Sequence, residues 1–174
     1  MNLNDPKQLF LRELAAIYDA EHRIVRMLPD LAREAPDAQV AQALNAHLEE
    51  TRQQIKNIEE VFELFGAQPE RQSCAAVQGI KQEHDLFART HPTAELLGVF
   101  DLGGAAKTEH YEIASYEGLI AMCDALGQPR GAQLLRQNLQ QEQAMLQRVT
   151  GASERLLPQL MGTAGGQQIA MPGV

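Results

Sequence analysis

The sequence predicts an all-α protein, and three observations lead to that prediction. Four long stretches repeat apolar residues at the helical period of three to four positions. No stretch shows the alternation of β-branched and polar residues that marks a half-buried strand. The breaks are short within each pair of stretches and long between the pairs, which is typical of two antiparallel helical hairpins.

The first predicted helix begins at Asp5 and ends near Ala35. Asp5 is the expected N-cap, Pro6 takes the first helical position, and Gln8 stands where a capping box needs it. Pro36 then interrupts the helix, because the residue before a proline avoids helical backbone angles. The inward stripe of this helix contains Phe10, Leu14, Ile17, Ile24, Leu28 and Leu31.

The next two predicted helices also begin and end at residues that favour helix ends. Asp37 is the expected N-cap of the second helix, which Gly66 ends. The third helix begins at Pro92 or Thr93 and ends near Gly127. The second stripe contains Leu44, Leu48, Ile55, Ile58 and Phe62, and the third contains Leu96, Val99, Leu102, Ile113, Tyr116, Ile120 and Cys123.

The fourth predicted helix begins at Pro129 and ends near Pro158, with Leu135, Leu139, Leu146, Val149 and Leu156 inward. Residues 67–93 separate the two hairpins, and a short helix is expected from Ser73 to Phe87. A connection of this length can run the height of a bundle with helices of about 30 residues, or about 45 Å. We therefore predict a ferritin-like four-helix bundle at 1–159, two hairpins joined by a long crossover, and a flexible Gly-rich C-terminal tail at 160–174.

Composition and charge exclude several classes of partner. The chain has 15 Lys and Arg against 23 Asp and Glu, and its net charge of -8 repels nucleic acid and anionic lipid. It has neither an apolar run of about 18 residues nor the basic and apolar start of a signal peptide. We expect a cytoplasmic protein that binds neither nucleic acid nor membrane. Cys74 and Cys123 form no disulfide framework or CxxC pair and are expected to be buried thiols.

Four glutamates lie on the apolar stripes, where an isolated charge is costly unless it is paired, protonated or bound to a cation. Glu50 lies one turn after His47 at the edge of the second stripe, and is a fifth candidate. The four inward residues are Glu21 on the first helix, Glu109 and Glu112 on the third, and Glu142 on the fourth.

The expected register brings these carboxylates to one height. Residues equally far from the turn of an antiparallel hairpin are level, and Glu21 and Glu50 lie about 15 and 14 residues from the first turn. Glu112 and Glu142 lie about 16 and 14 residues from the second turn. These distances correspond to the middle of each helix, so the layer receives one carboxylate from every helix. Glu109 adds another, one turn from Glu112.

Five acidic groups in one buried layer raise one another's pKa and cannot all stay ionised without cations. Two divalent ions would nearly balance their charge, and oxygen ligands suit Fe²⁺, Mn²⁺ or Zn²⁺, with Fe or Mn favoured. The alternative is that Lys or Arg neutralise the layer, or that one or two glutamates turn outward. No Lys or Arg stands at the neighbouring inward positions that we identify, which favours the two metal ions.

Three motifs resemble those of a known family: YDAEH at 18–22, HLEETRQQ at 47–54 and EHYEIASY at 109–116. With Cys74 and the Ala-rich segment after it, they make about residues 3–158 similar to the bacterial YciE/YciF-like stress-response family, a ferritin-like group. The resemblance implies a dimetal centre, a homodimer and a link to osmotic or oxidative stress. The paired glutamates followed by a third also resemble rubrerythrins. The ligands implied are Glu21, Glu50, Glu109, Glu112 and Glu142.

The chain departs from the ferritin-like pattern in its nitrogen donors. Di-iron proteins of that group use Glu-x-x-His on two helices. Here Gln53 and Met145 stand three positions after Glu50 and Glu142. His47 is the best substitute ligand, and the alternative interpretation is a core histidine that supports the site without binding metal.

Other aromatic and histidine side chains are weaker candidates. Tyr18 and Tyr116, each about one turn from a proposed ligand, either hydrogen-bond the site or belong to the core. His110 points about 100° away from the residue before it and is expected at the surface or a subunit interface. His22 and His84 are expected to be ordinary surface histidines.

Two functions fit these residues. The first is reduction of peroxide or oxygen at a di-iron or di-manganese centre, with an open metal position for the oxidant. The second is metal sequestration, or a non-catalytic structural or interaction role under stress. No catalytic residue is assigned beyond the metal ligands. Hydrolase, nucleotidase and dinucleotide-binding motifs are absent from the sequence, so no organic cofactor is predicted.

Overall fold

The computed structural model describes residues 4–165, and these residues form helices without any strand. The prediction of an all-α fold is therefore confirmed. The helices are α1 (Pro6–Glu34), α2 (Ala38–Leu64), α3 (Ala75–Ala88), α4 (Ala94–Ala125) and α5 (Pro129–Gly165).

The helices begin at the predicted caps. The Asp5 carboxylate accepts a hydrogen bond from the backbone N–H of residue 7 at 2.9 Å, and Asp37 accepts one from residue 40 at 2.8 Å. The Thr93 hydroxyl accepts from residue 96 at 3.4 Å. Each cap satisfies a backbone donor that has no partner within its helix.

Glycines end α2 and α4 as predicted. Gly66 and Gly127 have φ angles of 66° and 72°, a left-handed conformation that costs glycine little. The backbone N–H groups of Ala67 and Gln128 bond the carbonyls of Phe62 and Cys123 at 3.0 and 2.9 Å. These are the bonds of a Schellman motif, and they turn the chain sharply at each helix end.

The C-terminal boundary differs from the prediction. The helix α5 continues through Pro158 to Gly165, so residues 160–165 are helical. A proline inside a helix removes one hydrogen bond but need not end the helix. The rest of the predicted tail, residues 166–174, lies outside the described residues.

The four long helices form two hairpins that pack side by side. Helix α1 pairs with α2, and α4 pairs with α5, while α1 also lies along α4 and α2 along α5. The order of helices and the long link between the hairpins match the predicted ferritin-like bundle. The apolar core fills the space between the helices and includes Phe10, Leu14, Ile17, Ile58, Phe62, Tyr116, Leu119 and Leu135.

The crossover carries the short helix α3, which packs on α4. Its first part is held by Asp19 of α1, whose side chain is 5% exposed. Arg71 donates two hydrogen bonds to Asp19 at 2.6 and 2.9 Å, and the Cys74 N–H donates another at 2.9 Å. Gln72 adds a backbone bond to Ala15 at 3.0 Å. The link is thus fastened to α1 before α3 begins.

Two further expectations concern the cysteines and the membrane. Cys74 and Cys123 are free, buried thiols, as predicted. Among residues 4–165, no helix has the length and apolar composition required to cross a membrane.

Candidate metal centre

Four glutamates from three helices are buried in the middle of the bundle. Glu21, Glu112 and Glu142 are fully buried, and Glu109 is 3% exposed. They lie on the inward faces of α1, α4 and α5, as their positions on the apolar stripes predict. His47 of α2 joins them with 1% of its surface exposed, so each of the four long helices contributes a polar side chain to this layer.

The side chains fall into two groups of possible metal ligands. One group contains Glu21, Glu112 and Glu142, and the other contains His47, Glu109 and Glu142. Within each group, the donor atoms lie within 4.8 Å of one another. His47 Nε2 is 3.5 Å from Glu109 Oε1 and 3.7 Å from Glu142 Oε2. Glu142 belongs to both groups, which is the position of a carboxylate that could bridge two ions.

Most carboxylate oxygens in this layer have no hydrogen-bond partner. These buried atoms are Glu21 Oε2, Glu109 Oε2, Glu142 Oε2 and both oxygens of Glu112. In the described part of the chain, no Lys or Arg forms an ion pair with any of the four glutamates. Because buried polar atoms are nearly always paired, five such oxygens facing one another fit a site for cations.

Burial raises the pKa of Glu21, Glu109 and Glu112 well above the usual carboxyl value, because loss of water disfavours the charged form. The charge of Glu142 raises the pKa of all three further. Cations between these groups would have the opposite effect, since they favour ionised ligands. The electrostatics of the layer therefore match its chemistry as an oxygen-rich metal site.

Glu50 lies at the edge of this layer and belongs to neither group. Its side chain is 27% exposed, and its Oε2 lies 3.4 Å from His47 Nδ1 and 3.6 Å from Arg148 Nη1. The hydrogen bond with His47 is the main cause that lowers the pKa of Glu50. Glu50 thus supports His47 and reaches solvent.

The turn between α1 and α2 is centred on Pro36, as predicted, since α1 ends at Glu34 and α2 begins at Ala38. The side chains of α2 that reach the central layer are His47 and Gln54. Glu50 thus lies on α2 between two residues of the layer, with its own side chain at the edge of the layer.

A buried polar network supports the carboxylates, and the sequence did not single out most of its members. Gln54 is fully buried and donates a hydrogen bond to Glu142 Oε1. Tyr116 donates to Glu21 Oε1, and Asn138 donates to the Tyr116 hydroxyl at 3.1 Å. Of these three residues, only Tyr116 was among the candidates for a hydrogen bond to the site. Gln54 and Asn138 are neutral amides, which give no sequence signal of their own.

The weaker candidates have different outcomes. Tyr18 donates to Glu59 at 2.7 Å and makes no hydrogen bond with the central carboxylates. His110 is exposed, as predicted, and His22 packs edge-on against Tyr18. His84 is not an ordinary surface histidine, because it is part of a second ligand group with Glu34 and Asp101.

Comparison with known proteins places this arrangement in a family. A family model described as a domain of unknown function, DUF892, matches residues 5–161. The chain belongs to the DUF892 family. Protein YciF of Escherichia coli strain K12 is 34% identical over 145 residues, which are 83% of this chain and 87% of that protein. The resemblance to the YciE/YciF-like family is confirmed.

Solved structures support the same conclusion. The crystal structure of the E. coli stress protein YciF matches with a TM-score of 0.84 and 31% identity, covering 90% of this chain and 99% of that one. YcfI from Rhodopseudomonas palustris matches with a TM-score of 0.82 and 33% identity, covering 86% and 95%. A two-domain Anabaena variabilis protein with DJ-1/ThiJ/PfpI-like and ferritin-like domains has a TM-score of 0.54 at 13% identity, covering 95% and 39%. That match concerns the fold alone.

The DUF892 chain therefore has a ferritin-like bundle whose interior carries four carboxylates and one imidazole. The partnerless oxygens, the absence of a cationic side chain among them and the shared Glu142 all fit a pair of divalent ions. Carboxylate oxygens and imidazole nitrogen suit Fe, Mn and Zn.

Proposed function

We propose that this protein is a dimetal-carboxylate protein that reduces peroxide or oxygen at a di-iron or di-manganese centre. The observation that carries the proposal is the set of five buried carboxylate oxygens without partners, arranged in two groups that share Glu142. Zn²⁺ suits the same ligands but cannot change its oxidation state.

The two groups define which side chains would hold each ion. Glu21 and Glu112 would hold one ion, His47 and Glu109 would hold the other, and Glu142 would serve both. Two divalent cations bring four positive charges, which balance the four buried carboxylates. Neutrality matters here, because an uncompensated charge in a bundle interior is unfavourable.

Reduction of hydrogen peroxide to two water molecules consumes two electrons and two protons. When bound, a pair of Fe²⁺ or Mn²⁺ ions would supply one electron each. The two protons come from solvent. The Glu50 carboxylate is partly exposed and lies 3.4 Å from His47 Nδ1, where it can accept a hydrogen bond from the imidazole and orient it toward the central layer.

The surrounding side chains would fix the ligands in place. Tyr116 holds one oxygen of Glu21 and leaves the other free, and Gln54 does the same for Glu142. Asn138 in turn orients Tyr116 and also donates a hydrogen bond to the backbone carbonyl of Gln54 at 3.3 Å. Such outer hydrogen bonds position metal ligands and tune metal affinity.

Metal sequestration without turnover is the second candidate function. The observation that favours it is the presence of a single imidazole, with the apolar Met145 fully buried after Glu142. A ligand set of nearly all oxygens binds divalent ions without demanding redox chemistry.

Metal content and peroxide consumption separate these functions. Protein purified without chelator should retain about two more Fe or Mn per chain than Glu142→Gln, while the exposed Glu154→Gln on the same helix should retain as many as wild type. Peroxide consumption by loaded wild type, absent in Glu142→Gln, supports the enzyme. Metal retention without consumption favours sequestration, and no metal contradicts both.

Two wider aspects of the proposal rest on relatives. We extend a stress-response role to this chain because the 31% identical YciF is described as a stress protein. We also propose a homodimer, as the resemblance to the YciE/YciF-like family implies.

A further inference from the structure

A further group of possible metal ligands lies away from the central layer. It consists of Glu34 at the end of α1, His84 on α3 and Asp101 on α4, with donor atoms within 4.8 Å of one another. His84 Nε2 lies 3.3 Å from Asp101 Oδ1 and 3.6 Å from Glu34 Oε2. The long crossover thus brings an imidazole to two carboxylates that belong to different hairpins.

The atoms that face one another in this outer cluster have no hydrogen-bond partners. His84 Nε2 and both carboxylate oxygens of Asp101 are buried and unpartnered, although two of them are 3.3 Å apart. The other ring nitrogen, Nδ1, lies 3.3 Å from Asp85 Oδ1. A carboxylate can only accept a hydrogen bond there, so an Nδ1 proton would bind Asp85 when Nε2 coordinates a cation. A carboxylate behind a histidine is the usual support of a metal ligand.

A cavity of about 290 Å³ connects the outer cluster with the central layer. Asp101 and Glu109 both line it, and they are eight residues apart on α4, or about 12 Å along the helix. Exposure of the side chains falls steadily inward, from 42% for Glu34 to 25% for His84, 11% for Asp101 and 4% for Glu109. Glu109 Oε2, at the inner end, is buried without a partner.

The charges along this cavity attract cations. Six acidic side chains line it, and Lys81 is the one basic residue among those that the structure shows there. Lys81 is already paired with Asp85 at 2.8 Å. A cleft lined by one sign of charge raises the local concentration of the opposite ion.

We propose that Glu34, His84 and Asp101 form a second divalent-cation site, at the outer end of a cavity through which cations reach Glu109 and the central layer. One imidazole and two carboxylates suit Fe²⁺, Mn²⁺, Co²⁺ or Zn²⁺. The proposal that cations travel to the central layer depends on the proposed metal centre. The outer site does not depend on it.

Titration of the metal-free protein with Co²⁺ tests this proposal, because Co²⁺ absorbance reports imidazole and carboxylate ligation. We expect about three Co²⁺ per chain in the wild type and about two in Asp101→Asn or His84→Gln. The matched control is Glu83→Gln, which removes an exposed charge from the same cavity without touching the cluster. It should bind as the wild type does.

A second variant separates the outer site from the central one. Glu142→Gln, which removes the shared central ligand, should keep one Co²⁺ that is lost when Asp101→Asn is added. If only the outer site exists, the wild type and Glu142→Gln will both bind one ion, which contradicts the proposed function and supports the outer site. Equal stoichiometry in the wild type and Asp101→Asn overturns the outer site.

The rate of filling tests the route. At limiting Co²⁺, stopped-flow absorbance should show that Asp101→Asn fills the central layer several-fold more slowly than wild type or Glu83→Gln. An unchanged rate overturns the cavity as the access route. The same comparison with His84→Gln guards against an effect specific to one substitution.

Discussion

Glu112 has two fully buried carboxylate oxygens without a hydrogen-bond partner. Without metal, burial of this carboxyl raises its pKa and costs stability at pH 8, where the unfolded chain is ionised, and the isosteric glutamine removes that cost. We therefore expect Glu112→Gln to stabilise the metal-free protein at pH 8 by about 1 kcal/mol, or about 2–4 °C for a chain of this size. Thermal unfolding of chelator-treated protein measures this.

With saturating metal, the sign of the Glu112→Gln effect should reverse. Wild type gains stability from ligand binding, about 2.7 kcal/mol when free metal is 100 times the dissociation constant. The variant should gain much less. Glu117→Gln, at an exposed position on the same helix, should behave as wild type. A Glu112→Gln protein that is destabilised equally with and without metal would argue against the ligand role.

Tyr116 is a residue that positions a ligand, since its hydroxyl donates to Glu21 and accepts from Asn138. We expect Tyr116→Phe to weaken metal affinity by about tenfold, as the loss of a supporting hydrogen bond commonly does. Competition with a chromophoric chelator gives the affinity. An unchanged affinity, with stability lowered equally in the presence and absence of metal, would indicate a purely structural role.

At this scale, the sequence identified the buried glutamates better than the residues that support them. Glu21, Glu112 and Glu142 were found because each interrupts an apolar stripe. On α2, the side chains that reach the layer are His47 and Gln54, whereas Glu50 lies at its edge. A neutral amide on a stripe is common in any helix, so nothing in the sequence set Gln54 apart.

The helix α4 offers a matched pair of glycines. A Cβ at Gly98 would lie 2.9 Å from Pro36 Cβ in the turn between α1 and α2, whereas a Cβ at Gly103 would meet nothing within 4 Å. We expect Gly98→Ala to destabilise the bundle by about 1–2 kcal/mol through overpacking. Gly103→Ala should stabilise it by about 0.5–1 kcal/mol through helix propensity. Denaturant unfolding of both variants checks the pair, and equal effects would contradict the close approach.

Asp19 fastens the crossover to α1. Burial acts to raise its pKa, but hydrogen bonds from Cys74 and the Arg23 and Arg71 guanidiniums outweigh burial and hold the pKa below 3.8. We expect Asp19→Asn to cost about 2 kcal/mol at pH 7, since bonds to a charged group are lost. Asp30→Asn, an exposed change on the same helix, is the control and should have little effect.

The pH dependence of this effect has a definite sign. The pKa of Asp19 is lower in the folded protein, so its stabilising contribution is complete above the unfolded value of 3.8 and is lost as the pH falls through the folded pKa. The stability difference between wild type and Asp19→Asn should therefore stay constant from pH 7 to 5 and shrink below 3.8. A difference that is independent of pH would contradict the ionised role of Asp19.

For the whole molecule, the sequence predicted the fold because the helix caps, the helix breaks and the apolar stripes all indicate the same four long helices. Asp5, Asp37, Gly66 and Gly127 mark helix ends by local chemistry, and the long connection requires a crossover. The outer cluster could not be predicted from the sequence. His84 lies on a short helix with one buried residue, and its meeting with Glu34 and Asp101 depends on the tertiary path of the crossover.

The proposed homodimer gives a whole-molecule prediction. Sedimentation at micromolar concentration should yield about twice the chain mass of 19.2 kDa. The metal layer lies inside one bundle and takes all its candidate ligands from one chain. Dimer dissociation should therefore leave metal content unchanged. A monomer at these concentrations would contradict the dimer without affecting the metal centre.

The metal content of the purified protein is the most direct test of the proposed centre. The protein should be isolated without chelator or a metal affinity column, passed through gel filtration to remove weakly held ions, and analysed by elemental mass spectrometry beside Glu142→Gln and Glu154→Gln. The predicted result is that wild type and Glu154→Gln each hold about two more Fe or Mn per chain than Glu142→Gln. Wild type that holds no metal, and whose melting temperature does not rise when Fe²⁺ or Mn²⁺ is added, would contradict the dimetal centre.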